Sequence, residues 1–562
     1  MSLIERRVGL LFACFVSLLA VVLVRAVWVQ GVQGGSLAQE ARGQQTETVV
    51  IPGSRGTIFD RAGRELAVSE DAATVFATPY QVKDSPETAH KLAKILDANE
   101  SEILERLTAD SGFEYVNRKV SLDVANQIAA ADLKGIGMMP DSRRIYPQGE
   151  LAGQVIGTVG TENQGLTGLE ASEDAILHGT DGEREVVRDA LGDELKRDTV
   201  DAAETGADLK LTIDANIQAK TEEVLAGLGQ TYDPAGATAI VMDPRSSEVL
   251  AMANWPGIDP SDPSSISDPD LLGNMATGFT YEPGSTFKAF TVAGALEDGV
   301  VTPQTMYDLP PTIQVADREI EESHPRGFVS LTVADILAQS SNVGAVMVGL
   351  DLNDAQGDSQ FGGRFDHWVR EFGFGAPTGV PFPGEEQGIL ISPDEYSGST
   401  MGNLPIGQGL SVTPMQMASA YAAIASDGVV RTPRLILEED GEPVEPGPAR
   451  QVISAENAAK LREMLEGVLA EGGTASEVQV DGYTLAGKTG TAEKVDPETG
   501  RYSETEFVAS FVGFAPAENP ELLVAIVVDT PAGGDYYGGT VAAPAFGEIA
   551  NFALPYLGIP PS

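Results

Sequence analysis

The sequence predicts an α+β protein with one apolar anchor near its N-terminus. Two observations carry this. In residues 206–562, five strand-like runs gather at the two ends of the region, with helical stretches between them. That order suits one mostly antiparallel, five-stranded sheet packed by helices, rather than alternating βαβ units. Near the start, residues 8–24 form a run of 17 residues broken only by Gly9 and Ser17. A chain of 562 residues also exceeds what one hydrophobic core holds, so more than one domain is expected.

In chain order, residues 1–30 read as a cytoplasmic tip and a transmembrane helix. The apolar run is roughly 25 Å long at about 1.5 Å per residue, and residues 25–29 extend it to a full span. Arg6 and Arg7 precede it, which orients the N-terminus inward. No small-residue cleavage pattern follows Arg25, so an uncleaved anchor is expected rather than a signal peptide. Residues 31–45 are rich in Gly and Gln and read as a juxtamembrane linker.

Residues 46–205 read as an N-terminal module. The stretch Arg55 to Arg64 suggests a strand and a turn, residues 85–107 one or two helices, and residues 154–160 a short strand. No cluster of reactive groups stands out there, which favours a structural or docking role. Residues 206–562 form the second domain. Its strands are expected at 237–242, 248–253, 483–492, 507–515 and 522–529. Residues 243–247 turn the first two into a hairpin, helices are expected at 415–425 and 456–469, and residues 544–557 close the domain.

Composition excludes several functions. Hydrophobic residues make up 42% and charged residues 21%, but 83 acidic against 36 basic residues leave a formal charge of −47. Such a surface repels phosphate backbones, so no nucleic-acid partner is expected. Cys14 is the only cysteine and lies in the apolar run, which rules out an internal disulfide or a thiolate cluster. His90, His178, His324 and His367 have no zinc-type spacing. Neither a metal nor a cofactor is expected.

Three motifs carry the chemistry. Tyr281-Glu282-Pro283-Gly284 is a turn, and a helix is expected from Ser285, with Ala289, Val292, Ala293 and Leu296 as its apolar stripe and Gly299 as its stop. Ser285 and Lys288, three apart, share one face. A desolvated lysine gives up its proton readily and can take the one a serine must lose to become a nucleophile. Alone, the pair reads more often as a capping serine and a surface lysine. In Ser340-Ser341-Asn342, after a helix at 332–338, Ser340 is a candidate proton relay and Asn342 a candidate holder of a substrate amide. In Lys488-Thr489-Gly490-Thr491, on a strand, Lys488 adds positive charge, the hydroxyls of Thr489 and Thr491 suit a carboxylate, and Gly490 leaves room for an extended substrate. The N–H groups of Thr491 and Ser285 are candidates for an oxyanion hole. Together the motifs point to acyl transfer through a serine.

Serine-x-x-lysine, a serine-asparagine element and lysine-threonine-glycine in this order mark the β-lactamases and penicillin-binding proteins. The chain resembles the class B penicillin-binding proteins over nearly its whole length. The resemblance rests on Arg55-Gly56-Thr57-Ile58-Phe59-Asp60-Arg61 with Gly63-Arg64, on Gly165-Leu166-Thr167-Gly168-Leu169-Glu170, and on Tyr281 to Lys288. Pro405-Ile406-Gly407-Gln408-Gly409 and Tyr537-Gly538-Gly539-Thr540 also fit. It implies a C-terminal penicillin-binding transpeptidase domain on an N-terminal pedestal or dimerisation-type module. It further implies a D,D-transpeptidase that cross-links peptidoglycan stem peptides, with Ser285 as nucleophile, release of D-alanine, and acylation by β-lactam antibiotics. Lipid-linked precursor, a membrane glycosyltransferase polymerase, divisome proteins and the cytoplasmic membrane are the implied partners. The wording around Ser285 and the junction at residues 25–30 resemble the cell-division enzyme more than the elongation enzyme. An elongation-type class B transpeptidase, a non-catalytic divisome scaffold, a β-lactamase and a penicillin sensor stand as alternatives. Residues 351–363 look like a variable insertion.

Overall fold

The computed structural model describes residues 3–33, 35, 46–188, 194–266, 268–354, 363–496 and 499–562. Most of the linker at 31–45 and of the insertion at 351–363 lies outside them. Leu3–Val27 is one helix with exposed apolar side chains, and Trp28–Val32 continues it as a π-helical turn. Within Arg6–Val32 an 18-residue stretch reaches a mean hydropathy of 2.7, and the helix is long and apolar enough to cross a membrane.

By contact the chain divides into two compact units. One comprises Met1–Ser54, Glu70–Arg143 and Gly179–Gly206. It holds the expected helical pair as Ser85–Leu96 and Glu100–Leu107, capped by Asp84 and Asn99, whose side chains accept the N–H groups of Glu87 and Ser101. Leu92, Ile103 and Leu107 bury the apolar stripe against Val75, Val116 and Ile128.

The other unit comprises Arg55–Ser69, Arg144–His178 and Ala207–Ser562. The motif at Arg55 therefore folds with the larger unit. Asp60 accepts the N–H groups of Ala62 and Arg64, which makes its turn. Residues 154–160 are not a strand. Gly153–Ile156 form one helical turn, and Gly157 ends it at φ +87, packed so closely that a Cβ would lie 1.9 Å from the Thr167 carbonyl oxygen.

The main sheet of this unit has five strands: β1 Gly236–Asp243, β2 Glu248–Trp255, β3 Ala486–Asp496, β4 Arg501–Ala515 and β5 Leu522–Asp529. Their spatial order is β2-β1-β5-β4-β3, antiparallel throughout. The central β5 is buried at every residue, as its unbroken Leu-Leu-Val-Ala-Ile-Val-Val run requires. Alternate residues serve two cores. Ile240, Met242, Ala525 and Val527 face a layer with Lys288–Glu297 and Pro414–Ala425; Val241, Val524, Ile526 and Phe511 face one with Ala215–Tyr232 and Ala543–Tyr556. The result is three layers, helices on both faces of one sheet. Strand β3 is an edge strand, so one side of Lys488 to Thr491 remains unpaired with any strand.

Candidate active site

The helix expected from Ser285 begins later. Gly284–Phe287 form a 3-10 turn, and the α-helix runs over Lys288–Glu297. With three residues per 3-10 turn, Ser285 and Lys288 still lie in line. Two glycines make the turn possible. Gly284 has φ +55, and a Cβ there would lie 2.9 Å from the Thr491 carbonyl oxygen. Gly407 has φ +78, and its Cβ would lie 2.1 Å from the Gly284 carbonyl oxygen. The Gly284 N–H donates to Gly407 O at 3.0 Å, the Thr286 hydroxyl to Pro283 O at 2.7 Å, and the Tyr421 hydroxyl to Thr286 O at 2.6 Å. Phe287 and Phe290 pack on Phe374, which fixes the turn from below.

A cleft of 420 Å³ opens above this turn. Ser285, Ser340, Asn342, Thr489 and Thr491 line it. Lys288, Lys488 and Gly490 lie beneath. Lys288 is 1% exposed, and its Nζ donates to Ser340 O at 2.6 Å, Ser340 Oγ at 3.2 Å and Asn342 Oδ1 at 2.7 Å. Ser285 Oγ has no hydrogen-bond partner among the described residues. Burial pulls the Lys288 amine from 10.5 down to about 7, partly opposed by the negative charge of Glu322 and assisted by the positive charge of Arg326. Ser340 sits between two helices at φ +60, which turns both its carbonyl and its hydroxyl onto Lys288.

Two expectations change in their physics. Lys488 is fully buried, so it does not stand in the cleft as a positive charge. Among the described residues its Nζ reaches only Thr489 O at 3.2 Å and Thr489 Oγ1 at 3.5 Å, and burial, then the neighbouring Lys288, push it well below its ordinary value. Gly490 makes room for the protein rather than for a ligand. A Cβ there would lie 2.3 Å from Ser510 Oγ and 2.9 Å from both Pro283 O and Thr286 Cγ2. The Thr491 carbonyl is turned toward Gly284, off the unpaired side of β3. A strand residue's N–H and C=O leave on the same side, so the Thr491 N–H also faces that side.

Several lining and supporting residues had no role in the sequence reading. Thr474 shares a 2.7 Å hydrogen bond with Thr489 through their hydroxyls. His324 stacks on Tyr537 with ring centroids 5.8 Å apart at the rim. Glu282 accepts from the Gly409 N–H at 2.9 Å and from the Tyr502 hydroxyl at 3.1 Å, joining three separate segments. Glu322 and Arg326 brace the Ser-Ser-Asn turn. Glu282 and Tyr537 stood in quoted motifs; Thr474, His324, Glu322 and Arg326 carry no local pattern.

Comparison with known families decides the class. Residues 237–551 match the penicillin binding protein transpeptidase domain, and residues 50–211 match the penicillin-binding protein dimerisation domain. The chain belongs to the class B penicillin-binding proteins. Stage V sporulation protein D of Bacillus subtilis is 36% identical over 98% of this chain and 85% of that protein. Peptidoglycan D,D-transpeptidase FtsI of Escherichia coli is 32% identical over 100% of this chain and 93% of that one. Among solved structures, penicillin binding protein 3 from Mycobacterium tuberculosis in complex with ampicillin is 30% identical, covers 91% of this chain and 97% of that chain, and has a TM-score of 0.70.

Proposed function

We propose that this chain cross-links peptidoglycan as a septal D,D-transpeptidase. Ser285 Oγ attacks the carbonyl of the penultimate D-alanine of one stem peptide while its proton passes to Lys288. The bond to the terminal D-alanine breaks, and Ser340 relays a proton from Lys288 to the leaving amine. An amine of a neighbouring stem then attacks the ester, loses a proton, and Ser285 regains its hydroxyl. The Ser285 and Thr491 N–H groups stabilise the oxyanion at each stage. Asn342 orients both Lys288 and the donor amide. Thr489 and Thr491 receive the terminal carboxylate, with Lys488 tuning the field beneath them.

One observation carries this reading: a fully buried Lys288 in line with Ser285, held by neutral acceptors and poised near neutrality. Arg6 and Arg7 support an inward N-terminus with the catalytic unit outside the cytoplasmic membrane. A membrane glycosyltransferase polymerase and divisome proteins are the partners this reading implies. The septal role is supported by the similarity to FtsI, although the sporulation protein is as similar.

Labelling with a fluorescent penicillin tests the chemistry. Stable label that disappears in Ser285→Ala is expected. Rapid turnover of the label would indicate a β-lactamase, and absence of label a scaffold. A fluorescent fusion concentrated along the side wall rather than at the septum would overturn the division assignment.

A further inference from the structure

One carboxylate organises the turn that holds the base. Glu322 follows directly on the short hairpin of Thr312–Val315 and Arg318–Glu321, and its side chain is 5% exposed. Its Oε2 accepts the Asn342 N–H at 2.7 Å. Its Oε1 accepts the Ser341 hydroxyl at 2.7 Å and the Val343 N–H at 3.3 Å, and forms an ion pair with Arg326. Those N–H groups open the helix Asn342–Asp354, where an acceptor and a negative charge are both favoured. Arg326 also donates to Ser341 Oγ at 2.6 Å. The adjoining Glu321 carbonyl accepts Asn342 Nδ2 at 2.9 Å, which leaves Asn342 Oδ1 aimed at Lys288.

We propose that Glu322 is a positioning residue for acyl transfer: it locks the Ser-Ser-Asn turn so that Ser340 and Asn342 point at Lys288, and it supplies the negative charge that Lys288 senses. The inference rests on the reading of Ser285 as nucleophile and Lys288 as its base. The charged groups around Lys288 are few. Glu322 favours its ammonium form, Arg326 opposes it, and Lys488 lies on the edge strand. His324, two residues beyond Glu322, also lines the cleft.

The test measures the rate constant of acylation by a fluorescent penicillin, per acylable molecule, from pH 5 to 9. Normalising to acylable protein removes any loss of folded material. A neutral Lys288 is required, so the wild type gains rate through an acid limb. Glu322→Gln removes the favouring charge, and its limb is expected to move down by roughly half a pH unit or more. Arg326→Gln removes the opposing charge, and its limb is expected to move up. Opposite shifts support the proposal. A uniform loss of rate with unmoved limbs in both variants would reduce Glu322 to a structural brace and overturn it. A limb that vanishes in His324→Gln overturns it as well, because the limb would then report His324. If Glu322→Gln yields no acylable protein, the direction of the Arg326→Gln shift decides alone. Label retained by Ser285→Ala would instead sink the functional reading on which the inference stands.

Discussion

Two buried cations within one unit are treated in opposite ways. Arg55 is 2% exposed and surrounded by counter-charge. It pairs with Glu170 at 2.7 Å and Asp174 at 2.5 Å and donates to Asn163 O at 2.7 Å, while Arg144 takes the other Glu170 oxygen at 2.6 Å. Lys288 is equally buried, yet its direct partners are a carbonyl, a hydroxyl and an amide oxygen, all neutral. A guanidinium holds its proton in any protein setting, so ion pairing there serves structure. A buried amine without a touching carboxylate is free to lose its proton, which is what a base must do. The comparison explains two motifs in one stroke: Arg55 meets Glu170 from the Gly165 to Glu170 motif as a clamp, whereas Lys288 meets Ser340 and Asn342 as machinery.

The largest expected effect falls on the machinery. Lys288→Ala is expected to slow acylation of Ser285 by about 10²–10⁴-fold, the usual weight of a general base. Pre-steady-state labelling, with deacylation followed separately, reads it. Acylation within threefold of wild type would move the base elsewhere and break the contrast. In Arg55→Ala the order reverses. Glu170 is left buried with only Arg144, and destabilisation of about 3–5 kcal/mol is expected in denaturant unfolding. Acylation per labelled molecule is expected to stay within about twofold. A selective loss of acylation without loss of stability would mean that the clamp acts on the cleft.

The second lysine sharpens the contrast through pH. Unfolded lysines hold their protons to about pH 10.4. Folded Lys288 releases its proton near 7, and Lys488 well below its ordinary value. Between folded and unfolded values the unfolded chain binds more protons, so stability rises with pH; below the folded value the cost of the buried ammonium is fully present. Lys488 has the fewer partners. Lys488→Met is therefore expected to raise stability at pH 7 by about 1–3 kcal/mol and to flatten the rise toward pH 10. Lys288→Met is expected to gain less, because Ser340 and Asn342 lose their donor. Unfolding midpoints at pH 7 and 10 check both. A destabilised Lys488→Met with an unchanged pH slope would show that its ammonium is well compensated.

Much of this was legible in the sequence because it is local. The apolar run at 522–528 reads directly as a strand, and the stretches at 85–107 and 415–425 as helices, as the structure has them. Ser285, Lys288, Ser340 and Asn342 were found through motif wording, and the fold brings them together. The burial of Lys488 was not legible, since a lysine on an edge strand ordinarily faces water. Neither was Glu322, whose partners lie about twenty positions away along the chain. Residues 154–160 failed for a different reason: a short apolar run fits one buried helical turn as well as a strand.

Gly490 offers the finest test, because it shifts the nucleophile without altering either cation. Its missing Cβ is what lets Pro283 and Thr286 close on β3, with Ser510 Oγ as the nearest atom at 2.3 Å. Gly490→Ala forces the Ser510 hydroxyl aside and presses on the turn that carries Ser285. A cost of about 1–3 kcal/mol is expected, as for other overpacked sites. Acylation should slow while the acid limb set by Lys288 stays in place, since no charge has moved. Adding Ser510→Ala removes the nearest clash and should restore part of the stability. It should restore less of the rate, because the clash with Pro283 O and Thr286 Cγ2 at 2.9 Å persists. If Gly490→Ala instead acylates normally and fails only with longer peptide substrates, the glycine serves the substrate's passage along the strand edge, and the packing account of this motif is wrong.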